Sequence, residues 1–137
     1  MKKLTLSILF LLAANTASAQ GQHVLHAFYF FNVTNPAGVV AAMDKFKSSS
    51  CGSQMPADVG LMAETINGSA NSTHFLIVSY ETMADFSEAQ ELTQTCADSA
   101  TFLQEMRSAA TLITEYAITP AIEVGDWTQD SVFMKFD

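Results

Sequence analysis

The chain has 137 residues and is strongly acidic, with fourteen Asp and Glu residues against six Lys and Arg residues and a formal net charge of −8 at pH 7. This charge repels nucleic acids and anionic lipid surfaces, so we expect neither as a partner. A net charge of this size ordinarily serves to keep a protein soluble. A cationic partner is the alternative, and no clustered acidic run supports it.

Residues 1–19 have the features of a secretory signal peptide. Two lysines open the segment, an apolar run covers residues 4–14, and the small residues of an A-x-A cleavage site end it at Ala19. The apolar run is shorter than the ~20 residues that span a bilayer, which disfavours a membrane anchor, the alternative interpretation. We therefore expect a secreted or periplasmic protein of bacterial type, without a membrane association once the segment is cleaved.

The predicted mature chain, residues 20–137, is the length of one domain and can bury its own core. Cys51 and Cys96 are the only cysteines. In an oxidising compartment such a pair predicts a disulfide, and two separate buried thiols are the alternative. The two are too far apart in sequence for a cysteine metal motif, and a redox CxxC is absent.

Hydrophobic periodicity predicts the element order β-α-β-β-α-β. Asn35-Pro36 is typical of the start of a helix, and Thr82-x-x-Asp85 of a capping box that begins the second helix. We expect this second helix to pause near residues 96–98, with Ser99 capping its continuation. For the tail we expect at most one short strand over residues 132–136. The four predicted strands cover residues 23–33, 59–66, 73–80 and 113–119.

Right-handed crossovers convert this order into an α+β fold, a four-stranded antiparallel sheet with the helices on one face. A sheet with one face in water alternates apolar and polar residues, but the first strand, HVLHAFYFFNV, is apolar on both faces. The face that the helices leave bare therefore needs cover. A second copy of the sheet in a two-fold homodimer is the simplest cover, and the C-terminal tail folded back is the alternative.

The chain resembles a known family over residues 23–120. The split β-α-β order, the third strand ending in Tyr80-Glu81 and the helix start TMADFSEAQ are similar to the ferredoxin-like dimeric α/β-barrel proteins, above all the antibiotic-biosynthesis-monooxygenase-like domains. The resemblance implies two sheets packed face to face around a barrel. Its members include cofactor-free monooxygenases, haem-degrading enzymes, isomerases and proteins without a known activity.

The haem-degrading members use an Asn, a Trp and a His. This chain has Asn32, His74 and a single Trp127, but the tryptophan lies beyond the last predicted strand. That activity is therefore not carried over, and we expect no cofactor.

Polar side chains among the aromatic residues of the strands are the candidates for chemistry. We single out His26, His74 and Tyr80 as candidate catalytic residues, because a histidine titrates near neutral pH. If both histidines shared a face with Glu64, a metal site of two histidines and a carboxylate would form. Histidines with ordinary hydrogen bonds are the stronger interpretation, and we expect no metal. The candidate pocket residues are Phe28, Phe30, Asn32, Met62, Glu64 and Tyr116.

Two functions remain open from the sequence. The first is a binding or structural module, an exported homodimer whose barrel holds a small apolar ligand. The second is a cofactor-free monooxygenase or isomerase that acts on a small hydrophobic or aromatic substrate. The sequence has no phosphate loop, no GxSxG and no HExxH, which argues against nucleotide-dependent and zinc-protease chemistry.

Overall fold

A computed structural model describes residues 24–121, so the predicted signal peptide and the predicted tail strand lie outside the described residues. The strands are β1 Leu25–Val33, β2 Asp58–Ala63, β3 His74–Tyr80 and β4 Ala110–Ile118. The helices are α1 Pro36–Lys47, α2 Met83–Thr95 and α3 Ala97–Ala109, and a single 3-10 turn covers Gly52–Gln54.

The four strands form one antiparallel sheet in the order β2-β3-β1-β4. Strands β1 and β3 therefore lie in the middle, and β2 and β4 are the edges. This confirms the predicted α+β fold. None of the helices in the described part of the chain is long and apolar enough to cross a membrane.

Both predicted helix starts are present. The Asn35 side chain accepts a hydrogen bond from the Gly38 backbone N–H at 3.0 Å, and Pro36 occupies the first turn, where its missing N–H costs nothing. Thr82 and Asp85 form a reciprocal capping box, in which each side chain accepts a hydrogen bond from the other residue's backbone N–H.

The predicted second helix is two helices, with the break at Cys96. Cys96 is extended and directly precedes α3, so the prediction that Ser99 caps the continuation is wrong. Ser99 lies inside α3, where it is buried and donates its hydroxyl to the Leu92 carbonyl at 3.1 Å. The serine therefore links α3 to α2 instead of starting a helix.

Two strand boundaries also differ from the prediction. β2 ends at Ala63 because the chain enters a turn in which the Asn67 amide donates to the Ser72 carbonyl and Gly68 takes a φ of +60°. β4 begins at Ala110, directly after α3 and without an intervening loop, and Ala109 and Ala110 are both buried at this junction.

The hydrophobic core lies between the sheet and the helices. One cluster joins α1 and α3 to the sheet around Val39 and Met106, and a second joins α2 to the sheet around Tyr80 and Ala89. Tyr29 of β1 packs against both clusters. The sheet therefore buries one of its faces against all three helices.

Cys51 and Cys96 are joined in a disulfide with their Cα atoms 6.4 Å apart, as the cysteine pair predicted. The bridge ties the loop after α1 to the junction of α2 and α3. Cys51 is buried, with 2% of its surface exposed, and its sulfur lies 3.3 Å from Oδ2 of Asp98.

Candidate ligand-binding face

Alternate residues of β1 lie on opposite faces of the sheet, as the pleat requires. Tyr29, Phe31 and Val33 pack against the helix-side core. Phe28 and Phe30 therefore lie on the other face. The first strand is apolar on both sides, as its sequence predicted.

Strand register extends this second face across all four strands. Phe30 lies opposite Phe75 of β3 and Thr114 of β4, and Phe28 lies opposite Ile77 and Tyr116. On the edge strand β2, Met62 lies opposite Phe75 and Gly60 lies opposite Ile77. Each of these two cross-strand rows therefore runs over all four strands. We call this surface the ring face; its central residues are Met62, Phe75, Phe30, Thr114, Gly60, Ile77, Phe28 and Tyr116.

Four aromatic rings form a continuous cluster on the ring face. Phe28 and Phe30 contact each other, and both contact Phe75 and Tyr116; in these five pairs the ring centroids are 5.3 to 6.4 Å apart and the interplanar angles are 19° to 39°. These separations fall in the range of attractive aromatic pairs. The cluster comes from three different strands, and it presents several rings at similar tilt rather than one isolated side chain.

A buried polar pair borders one end of the cluster. His26 lies opposite Ser79, and Nδ1 of the imidazole is 2.6 Å from Oγ of the serine. Only 7% of His26 and 1% of Ser79 is exposed. Asp58 of β2 and Ile118 of β4 complete this row. A histidine so placed can exchange a proton with a molecule on the ring face.

Glu64 and Asn32 lie at the opposite end of the cluster. The Glu64 backbone N–H donates to the Thr73 carbonyl at 2.8 Å, which extends the β2–β3 ladder by one pair and places Glu64 on the same face as Met62. Its Oε2 atom is buried and has no hydrogen-bond partner among the described residues. Asn32, two residues beyond Phe30, is exposed.

Two predicted catalytic residues lie on the helix side instead. His74 is opposite Phe31, and its Nδ1 is 2.9 Å from the Thr73 hydroxyl. It therefore shares neither a face nor an end of the sheet with His26. The hypothetical metal site of two histidines and Glu64 is not formed, because the register pairs His26 with Ser79 on the ring face and His74 with Phe31 on the helix side.

Tyr80 is part of the helix-side core. It is 4% exposed and packs edge to face on Phe86, with ring centroids 5.3 Å apart. Burial, followed by the neighbouring Tyr29, raises the pKa of Tyr80 to about 12. Burial and then Glu115 raise the pKa of Tyr29 as well. Both phenols therefore stay protonated at neutral pH and cannot serve as bases there.

The structure brings seven of the nine predicted catalytic and pocket residues to the ring face: His26, Phe28, Phe30, Asn32, Met62, Glu64 and Tyr116. Sequence reasoning missed two of their neighbours as site residues, Phe75 and Ser79. The signal was present, because alternation along FLIVSY from position 75 places Phe75, Ile77 and Ser79 on one face. The pairing of β1 with β3 was needed to show which face.

One group of metal-type ligands converges within residues 24–121, formed by Cys51, Cys96 and Asp98. Both sulfurs belong to the disulfide, and a bridged sulfur is not a thiolate ligand. With the bridge in place, only the Asp98 carboxylate remains. We therefore interpret this group as a packed disulfide with a neighbouring carboxylate.

No protein-family model matches the chain, and no curated protein sequence matches it. Solved structures do. A cofactor-independent oxygenase, SnoaB from Streptomyces nogalater, superimposes with a TM-score of 0.55 at 12% identity, over 74% of this chain and 97% of that one. HapK from Hahella chejuensis gives 0.52 at 10% identity, over 74% and 98%.

A dimeric ferredoxin-like protein from an uncultured marine organism gives a TM-score of 0.51 at 16% identity, over 73% of this chain and 97% of that one. The similarity confirms the predicted ferredoxin-like fold. At these identities it concerns the fold, and activity does not follow from fold.

Proposed function

We propose that this protein is a homodimeric α/β barrel that binds a small, flat, hydrophobic molecule between its two sheets. One observation carries the proposal: four aromatic rings, Phe28, Phe30, Phe75 and Tyr116, cluster at similar tilt on the sheet face that the helices do not cover.

The proposed dimer would cover the apolar side chains of the ring face. Two sheets that pack face to face bury the side chains of their inner faces between them. A two-fold axis brings the same face of two copies together, so each copy covers the apolar surface of the other. The marine ferredoxin-like protein of the same fold is described as dimeric, which supports this arrangement.

The ligand class follows from the geometry of the rings. Phe28 and Phe30 are tilted by only 19° relative to each other, and Tyr116 lies within 5.5 Å of both centroids. Rings at similar tilt offer offset stacking to a flat molecule. Met62 in the neighbouring row adapts its shape, since an unbranched thioether fills irregular gaps.

The dimer is tested by light scattering after size-exclusion chromatography. We expect the mature wild-type protein to elute as a dimer and Phe30→Glu to elute as a monomer, because a carboxylate at the centre of the interface loses its hydration. Val40→Glu is the matched control, since Val40 is 48% exposed on α1 and its substitution adds the same charge. A wild-type monomer at high concentration would refute the dimer.

Ligand binding is tested by calorimetry with 1-naphthylmethanol, a flat bicyclic alcohol. We expect measurable binding that weakens about tenfold in Phe28→Ala, because stacking on one aromatic side chain contributes on the order of 1 kcal/mol or more. Phe46→Ala, which removes a ring stacked on Phe102 on the helix side, is the control and should leave the affinity unchanged. Equal losses in the two variants would contradict a site on the ring face.

Export is part of the proposal. The signal-like segment that ends at Ala19 and the disulfide between Cys51 and Cys96 both fit an oxidising compartment outside the cytoplasm. We expect the protein from the periplasm or the medium to begin at Gln20. Mass spectrometry of the intact protein tests this, and a chain that retains residues 1–19 would contradict it.

A second candidate function is supported by the His26–Ser79 pair. An imidazole at the border of the ring face can take a proton from a bound phenol or enol. The carbanion form of the resulting anion can add O2 to give a hydroperoxide, which loses water as a new carbonyl group forms, or the imidazolium can return the proton to another carbon in an isomerisation. SnoaB, which has the same fold, is described as a cofactor-independent oxygenase. This enzyme would be a cofactor-free monooxygenase or an isomerase of flat aromatic substrates.

Oxygen uptake and proton exchange with flat phenols test the second candidate. We expect His26→Gln to abolish either activity, and His74→Gln to retain it because His74 lies on the helix side. The absence of both activities in the wild-type protein across a panel of such phenols would leave the binding function alone.

A further inference from the structure

Glu64 extends the ring face beyond the aromatic cluster. It follows Met62 by two residues on the same face, so the strand rise places it about 7 Å from the row of Phe30 and Phe75. Its Oε2 atom is buried but has no hydrogen-bond partner among the described residues. The carboxylate therefore borders the proposed ligand site with one acceptor oxygen unused.

The residue that pairs with Glu64 across the strands does not supply the missing donor. Thr73 pairs with Glu64 through the backbone, but its hydroxyl oxygen accepts from the Val33 backbone N–H at 3.0 Å and lies 2.9 Å from Nδ1 of His74. The Thr73 hydroxyl is thus engaged with Val33 of β1 and with His74, and not with Glu64. A buried acceptor without a partner destabilises the folded protein, so a donor from a bound molecule would be favourable.

The distribution of charged side chains also favours a ligand that carries a hydrogen-bond donor with a positive charge. In the described part of the chain the lysines and the arginine lie on the helices, with Lys45 and Lys47 on α1 and Arg107 on α3, so His26 is the one basic side chain of the ring face within these residues. Lys45 is paired there with Glu105. The ring face carries Asp58 and Glu64 at its two ends, and aromatic faces themselves attract cations.

We propose that Glu64 selects the ligand: the molecule that binds the ring face is a flat aromatic compound with a protonated amine, and the ammonium group donates to Oε2 of Glu64. This inference rests on the proposed ligand-binding function and narrows it from hydrophobic molecules in general to aromatic amines. A charge-assisted hydrogen bond in a partly dehydrated site is strong enough to give selectivity.

Three naphthalene probes with one ring system and different charge test the inference. They are 1-naphthylmethylammonium, 1-naphthylmethanol and 1-naphthylacetate, and their affinities for the mature wild-type protein are measured by calorimetry. We expect the cation to bind at least about tenfold more tightly than the alcohol, and the anion to bind most weakly. In Glu64→Gln we expect the cation and the alcohol to bind with similar affinity.

Asp58→Asn is the matched control. It also removes one carboxylate from β2 on the ring face, but Asp58 lies six residues from Glu64, about 20 Å along the strand. We expect this variant to keep the preference for the cation. Circular dichroism and light scattering confirm that both variants retain the fold and the oligomeric state.

The outcomes separate this inference from the function on which it rests. If all three probes bind the wild-type protein with equal affinity, or if the preference survives Glu64→Gln, the role of Glu64 is wrong and the ring face remains a binding site for apolar molecules. If none of the probes binds, the ligand-binding function fails and the inference fails with it. If Asp58→Asn abolishes the preference equally, the selectivity comes from the overall charge and not from Glu64.

Discussion

Nδ1 of His26 lies 2.6 Å from Oγ of Ser79, so β1 and β3 are joined by side chains as well as by the backbone ladder. Both residues are buried, and both lie on the sheet face opposite the helices. A polar pair in such a place is stable only while its hydrogen bonds are made, because unpaired buried groups carry their full desolvation cost.

Ser79→Ala tests the energetic contribution of this contact. We expect the free energy of unfolding to fall by about 1–3 kcal/mol, because the buried imidazole loses a hydrogen-bond partner. Urea denaturation measures the change. Ser87→Ala is the control, since the Ser87 hydroxyl bonds only its own helix at an exposed position, and it should stay within about 0.5 kcal/mol. An equal effect of the two substitutions would show that the His26–Ser79 contact is not stabilising.

Tyr80 makes the protein sensitive to strong alkali. Its pKa rises from 10.0 to about 12 on folding, so the unfolded chain loses this proton first and stability declines as pH rises from about 10 to about 12. The expected loss is on the order of 2–3 kcal/mol. Below pH 10 the phenol is protonated in both states, and its contribution is fully present.

Denaturant unfolding at several pH values between 9 and 12 checks this prediction, with phenolate absorbance recorded in parallel. We expect Tyr80→Phe to remove most of the decline, leaving the smaller part that comes from Tyr29, whose pKa is also raised. A decline of full size in Tyr80→Phe would assign it to other groups.

The disulfide is expected to stabilise the domain substantially. It closes a loop of 45 residues, for which the chain-entropy estimate is roughly 4 kcal/mol. We expect the double variant Cys51→Ser, Cys96→Ser to unfold at a much lower urea concentration than the wild-type protein. Thiol reductant should destabilise the wild-type protein and leave the double variant unaffected. Equal midpoints for the two proteins would show that the bridge does not constrain the unfolded chain.

Most of the fold was predictable from local sequence signals. The Asn35-Pro36 start of α1 and the capping box at Thr82 and Asp85 depend on residues three or four positions apart, and both are present in the structure. The break at Cys96 falls within the pause predicted over residues 96–98, but the residue that precedes the second part, Cys96 rather than Ser99, was predicted wrongly. The disulfide holds Cys96 beside the distant Cys51, and the backbone there leaves the helical conformation.

The candidate site was predictable only as far as the pairing of the strands could be inferred from the sequence. Sequence alternation identifies which residues of one strand share a face, but it does not say which face the helices cover. His26 and His74 were grouped because their strands are neighbours, and the antiparallel register separates them. The unpartnered oxygen of Glu64 has no sequence signal at all, since it depends on where every nearby donor is already engaged.

Phe30 and Phe31 are adjacent in sequence but lie on opposite faces of β1, and this difference tests the whole arrangement. Phe31 packs in the helix-side core, so Phe31→Ala should lower the free energy of unfolding by about 2–3 kcal/mol at any protein concentration. Phe30 belongs to the ring cluster at the proposed dimer interface. The destabilisation caused by Phe30→Ala should therefore depend on protein concentration, because association stabilises a dimer by mass action.

Thermal unfolding over a hundredfold range of protein concentration distinguishes the two variants. We expect the wild-type protein and Phe31→Ala to show parallel increases in Tm with concentration, while Phe30→Ala shows a smaller increase and approaches the wild-type Tm on dilution. A constant difference between Phe30→Ala and the wild-type protein would place Phe30 in the core of a single subunit, and the ring face would then no longer be an interface.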